Sequence, residues 1–257
     1  MTPNKVLELK NVTYTYPSKA EPTISNLNLS VHHGEVVTIY GYNGCGKSTL
    51  LKIIAHRITD YAGEIYFDNT KIEGANIPYE RISFCSQSND TAVCHTVERE
   101  LSNQGKVSKQ EIDEIVEYFH CKTLLKKRMS SLSGGQLQLV YLMRAFLKKS
   151  ADLILLDEPI NNLDSGRAMM LSNYIQDFVS KNPMKSVIIV THCRMFPNTT
   201  SYTLENGFFC RLSTENSCQS CFGPTDEKGY YNIKGYVENE NPENKKFLKK
   251  IKEWFLG

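Results

Sequence analysis

The chain of 257 residues carries 30 Lys+Arg against 28 Asp+Glu, a formal net charge of +2, and 40% of it is hydrophobic. Its length suffices for one large domain or two small ones with a buried core, and the balanced charge advertises neither nucleic acid nor an acidic partner. No apolar run approaches the ~20 residues of a membrane-spanning helix, and Met1-Thr2-Pro3-Asn4-Lys5 lacks a signal-peptide stretch. The expectation is a soluble, cytoplasmic chain whose eight cysteines stay reduced.

In chain order, Val6 to Leu9 and Val12 to Tyr16 read as strands, closed by Pro17-Ser18. Asn26 to Val31 alternates as a strand. After a turn at His33-Gly34, Val36 to Tyr40 is a continuous apolar run of the buried parallel type. A helix is predicted from Ser48 to Ile58, a hairpin over Gly63 to Asp68 and Lys71-Ile72, and a strand at Ile82 to Cys85. Residues from about 88 to 131 are more polar and helical, with Ile112, Ile115, Val116 and Phe119 stacked along Lys109 to Phe119. A helix at Leu137 to Leu147, a buried strand at Leu153 to Leu156, a helix at Arg167 to Val179 and a strand at Val187 to Val190 follow. Strands alternating with helices predict an α/β protein with a mainly parallel sheet. Without an internal repeat, the chain is one such unit.

Between the Val36 strand and the Ser48 helix lies Gly41-Tyr42-Asn43-Gly44-Cys45-Gly46-Lys47-Ser48, which fits the phosphate-loop pattern G-x-x-x-x-G-K-[ST]. Glycines allow the backbone to wrap phosphates closely, and backbone N–H groups at a helix N-terminus favour anions. Asn43, Cys45 and Thr49 belong to this loop and its helix start. Lys47 would reach the β/γ-phosphates and Ser48 would bind Mg²⁺. Alone, the loop says only that a nucleotide binds. Downstream lie Leu132-Ser133-Gly134-Gly135-Gln136 and Leu153-Ile154-Leu155-Leu156-Asp157-Glu158.

Together these stretches resemble the phosphate loop, signature and Walker B strand of ATP-binding-cassette (ABC) ATPases. The resemblance spans Val6 to about Leu212 and implies a P-loop NTPase core with a mainly parallel sheet, an N-terminal antiparallel β-subdomain and a short helical subdomain at about 88–131. Residues 1–212 would be the nucleotide-binding domain and 213–257 a small extension. The resemblance assigns Tyr16 to adenine stacking, Gln87 to Mg²⁺ and to sensing a transmembrane partner, and Asp157 to Mg²⁺. It makes Glu158 the base for the attacking water and His192 the switch contacting the γ-phosphate. Ser133, Gly134, Gly135 and Gln136 would meet the γ-phosphate held by an opposite subunit, and Asp164, in Asn162-Leu163-Asp164, would couple the two sites. Tyr14 reads as a core aromatic. Two departures are visible: Leu139 where a basic residue is frequent, and Pro159-Ile160 for Pro-Thr.

The implied cofactors are ATP and Mg²⁺. The implied partners are transmembrane permease subunits and a second ABC ATPase, identical or related, with no nucleic acid, at the inner face of the cell membrane. Phe84 to Leu101 looks most like energy-coupling-factor and cobalt-type import ATPases. Multidrug or peptide export is the nearest alternative, and a soluble ABC ATPase outside a transporter, such as an iron–sulfur assembly ATPase, is a reading of a different class. Cys218-Gln219-Ser220-Cys221 has metal-like spacing but lacks a second pair. Asn241-Pro242-Glu243 to Leu256 reads as a basic amphipathic helix.

Overall fold

In the computed structural model the described residues are 4–73, 76–87, 95–104, 107–205 and 207–212. The Cys218–Cys221 pair and the C-terminal helix expected after Asn241 lie outside them. The two predicted N-terminal strands are one, β1 (Lys5–Tyr14). It pairs Leu9 with Leu29 and then Val12 with Leu27, so β1 holds one extra residue, with Asn11 at φ 52°. Such a bulge reverses which face a strand presents. Leu7 and Leu9 before it and Val12 and Tyr14 after it are consequently all buried.

β1 is central to a four-stranded antiparallel sheet with β2 (Ile24–His32), β4 (Ala62–Phe67) and β5 (Thr70–Lys71), in the order β2-β1-β4-β5. Asp68 and Asn69, both at positive φ, form the two-residue turn that joins β4 to β5, as residues tolerant of that region do in hairpins. The second sheet has the order β10-β9-β3-β8-β7-β6, from β3 (Val36–Tyr40), β6 (Ile82–Cys85), β7 (Leu153–Asp157), β8 (Ser186–Thr191), β9 (Thr200–Glu205) and β10 (Phe208–Arg211). Every pairing in it is parallel except that of β9 with β10.

The strand period of two sorts the second sheet's side chains into two cores. Leu153, Leu155, Ile188 and Val190 pack with the antiparallel sheet and α1 (Lys47–Ile54), whereas Ile154, Leu156, Val187 and Ile189 pack with α4 (Gly134–Leu147) and α5 (Ser165–Lys181). Both faces being covered explains why β3, β7 and β8 read as unbroken apolar runs. α2 (Val97–Ser102) and α3 (Lys109–Tyr118) join the second core. A reciprocal capping box between Ser108 and Glu111 starts α3.

α1 stops at Ile54 instead of continuing to Ile58, because His56 turns the backbone left-handed at φ 54°. His56 is buried and neither ring nitrogen has a hydrogen-bond partner. Burial holds its imidazole below the usual histidine range. The folded chain therefore binds fewer protons than the unfolded one, and this group's stability contribution is lost as pH falls through the ordinary histidine range. His56→Asn, which keeps a residue suited to positive φ, should gain stability relative to wild type as pH drops from about 8 to about 5.5, the span bracketing that range. Urea denaturation across these pH values checks this; a constant difference would contradict it.

Candidate nucleotide-binding site

β8 lies between β3 and β7, with Tyr40 opposite Thr191 and Asp157 opposite Val190. Parallel strands in this register end at one rim, where Gly41, Asp157, Glu158 and His192 emerge together. The loop from β3 to α1 needs its glycines for specific reasons. A Cβ on Gly41 would lie 2.4 Å from the Leu204 carbonyl oxygen, and one on Gly46, at φ 110°, 2.9 Å from that of Thr23. At Gly44, φ 84°, a Cβ would meet nothing within 4 Å. Its glycine answers to conformation alone and leaves the cradle open. Asn43 is exposed and Cys45 half-buried on the same loop.

Lys47 is buried. Its Nζ donates to the carbonyls of Gly41 (2.7 Å) and Tyr42 (3.1 Å) and stands 3.3 Å from Glu158 Oε1. That last contact is an ion pair without hydrogen-bond alignment, since Glu158 Oε1 receives no hydrogen bond. The other oxygen, Oε2, faces His192, with Nδ1 at 3.1 Å and the backbone N–H donating at 3.4 Å. Glu158 adopts φ 48° while its N–H donates to Val190 at 2.9 Å. This left-handed turn is a strained conformation for a non-glycine residue, and it aims the side chain back across the strand ends. The Ser48 hydroxyl donates to Asp157 Oδ1 at 2.9 Å. Burial raises the Asp157 carboxyl above its usual range, opposed by the Ser48 hydrogen bond and reinforced by the charge of Glu158.

Tyr16 follows β1 half-buried, its hydroxyl 3.1 Å from Thr49 Oγ1 and its ring edge-on to Tyr14 at 5.0 Å. Tyr14 is a core residue, as expected. The structure thus unites Tyr16, Lys47, Ser48, Thr49, Asp157, Glu158 and His192. Gln87 stands exposed two residues past the Cys85–Leu156 pair, without a hydrogen bond to Ser48 or Asp157. Ser133 caps α4 in a reciprocal box with Gln136, each bond 3.3 Å, and neither residue is hydrogen-bonded to the phosphate loop. Asp164 caps α5, accepting from the Arg167 N–H at 2.9 Å. One contact was not readable in sequence: a Cβ on Gly135 would lie 2.4 Å from the Asn162 carbonyl oxygen, while Gly134 faces open space.

The profile of the family described as ABC transporter matches residues 24–161, from β2 through the turn after Glu158. This chain belongs to the ABC transporter family. It is similar to the aliphatic sulfonates import ATP-binding protein SsuB of Bacillus licheniformis, 35% identical over 173 residues that cover 66% of each chain. It is also similar to the zinc import ATP-binding protein ZnuC of Mannheimia succiniciproducens, 32% identical over 189 residues, 73% of this chain and 67% of that one. The match covers 46% of a Clostridium tetani relative, at 28% identity, so the chain spans about half of that protein. Among solved structures, a nucleotide-free ATP-binding cassette from an ABC transporter superposes with a TM-score of 0.66 at 23% identity, covering 81% of this chain and 92% of that one. CbiO1 from Clostridium perfringens gives 0.66 at 21%, covering 80% and 88%. Both confirm the ABC ATPase fold.

Leu139, one of the two family departures, is buried on the core side of α4. The donor set fits Mg²⁺: Asp157 and Ser48 are hard oxygen ligands, and a cation would offset the cost of burying the carboxylate. Such a pair suits an ion that takes its remaining ligands from phosphate and water; among the described residues no group of three or more His, Cys, Asp or Glu is placed to hold a metal ion by itself. Asp157→Asn should therefore be more stable than wild type without Mg²⁺, yet lose the stabilisation that Mg²⁺ with ATP adds. Thermal unfolding with and without Mg-ATP measures both; a less stable variant that still responds to Mg-ATP would refute the assignment.

Proposed function

We propose that this chain is the ATP-binding and ATP-hydrolysing subunit of an ABC importer, driving transport through separate membrane subunits. The observation that carries this reading is the convergence of Lys47, Ser48, Asp157, Glu158 and His192 at one sheet rim. Lys47 and the loop N–H groups hold the phosphates, and the Tyr16 ring stacks on the base. Ser48 and Asp157 would hold Mg²⁺, with Gln87 completing the site from the β6 end. The charge they would hold there would neutralise that of the phosphates. Glu158 takes a proton from the attacking water, and His192 orients Glu158 through Oε2.

Import is favoured because similar proteins are named for import of aliphatic sulfonates, petrobactin and zinc. Three unlike solutes give no solute for this chain. No helix among the described residues is long and apolar enough to cross a membrane, and the translocation path is assigned to permease subunits, with this chain peripheral on the cytoplasmic face. On this reading residues 1–212 are assigned to the nucleotide-binding domain, about 88–131 to its helical subdomain, and 213–257 to an extension. Two such ATPases, identical or related, associate head to tail, so that Ser133, Gly134, Gly135 and Gln136 of one complete the phosphate site of the other and Asp164 couples the pair.

Glu158→Gln should retain ATP binding and lower hydrolysis by about 10²–10⁴, the range for removing a general base. Near wild-type turnover in a phosphate-release assay would remove Glu158 from that role. The composite site predicts that Ser133→Arg and Lys47→Ala, each inactive alone, regain activity when mixed, because one of the two sites then has both good halves. A mixture no faster than its separate components, with Ser133→Arg fully active by itself, would defeat the head-to-tail arrangement.

A further inference from the structure

Lys47 has three N–H donors and three acceptors around it: the Gly41 carbonyl at 2.7 Å, the Tyr42 carbonyl at 3.1 Å and Glu158 Oε1 at 3.3 Å. Both ends of the ion pair are 5% exposed, so water screens it little. Two of its N–H donors are spent on the carbonyls, so a phosphate oxygen must take the third and share the charge of Lys47 with Glu158. The Glu158 contact is the longest and the only one lacking hydrogen-bond alignment. A phosphate placed there would also repel a carboxylate a few ångströms away. Glu158 is the acceptor that yields.

Resting on the nucleotide-site reading above, we infer that Glu158 sets nucleotide affinity by competing with phosphate for Lys47, and that phosphate binding is what releases Glu158 Oε1 for its work as a base. The two oxygens divide the task. Oε2 stays on His192, at 3.1 Å from Nδ1, and acts as the pivot. Oε1 passes from Lys47 to the space in front of the terminal phosphate. The base is thus occupied while no phosphate is bound, and becomes available once Lys47 has another anion.

Calorimetric titration of the full chain with ADP, Mg²⁺ omitted, isolates this competition, because neither hydrolysis nor the metal contributes. Glu158→Gln keeps the shape and removes the charge, and it should bind ADP about tenfold tighter or more, in the range of measured couplings between close charges. Thermal unfolding without nucleotide supplies the second arm. Lys47→Met and Glu158→Gln should be non-additive there, as paired residues are, and additive when compared with saturating ADP. Equal or weaker ADP binding by Glu158→Gln, or additive effects in the nucleotide-free protein, would overturn the competition. Wild type that binds neither ADP nor ATP would instead overturn the nucleotide-site reading itself.

Discussion

The register of three parallel strands carries the rest of this structure. With β8 between β3 and β7, the pairs Tyr40–Thr191 and Asp157–Val190 bring the ends of three strands to within one residue of the same level. Below that level both sheet faces are sealed by apolar side chains; above it, charge can be kept near the sheet because each charge has a neighbour of the right kind. Ligands of open α/β sheets bind beyond the carboxyl ends of the strands, and here two carboxylates and an imidazole at those ends meet a cation and a hydroxyl from the start of α1. A slip of one residue would turn the apolar set of a strand to the wrong core. The packing of the two cores therefore protects the site's geometry as well as the fold.

Much of this was legible in sequence because the same residues that build the strands announce the chemistry. Four apolar residues before Asp157-Glu158, and a buried-type run before Gly41, identify strand ends and functional positions together. Tyr14 and Tyr16 were separated in sequence only by the family resemblance, since both fell in the expected strand; in the structure Tyr14 ends β1 and Tyr16 lies past it, beside Thr49.

Other features were not legible, for physical reasons that can be named. The bulge at Asn11 merges two apparent strands, because a single residue at positive φ hides a change of parity that no period-two pattern anticipates. The short α1 depends on His56 at positive φ, again a tertiary choice. β9 and β10 escaped although Asn206-Gly207, between two Thr/Tyr/Phe-containing runs, is a strong hairpin signal. The approach of Gly135 to Asn162 and the pairing of Lys47 with Glu158 join residues distant in sequence, and nothing local encodes them.

The contact at Gly135 has a mechanical consequence. With the Asn162 carbonyl pressed where a side chain would begin, the start of α4 rests directly on the backbone of the segment that follows Glu158. Backbone against backbone has no rotatable side chain to absorb displacement, so the contact behaves as a bearing, stiff in compression. A push on residues 160–164 reaches the first turn of α4 undamped, and a push on that turn returns to the peptide units beside Glu158. The start of α4 and the segment that follows Glu158 can in this way feel each other's position inside a single chain.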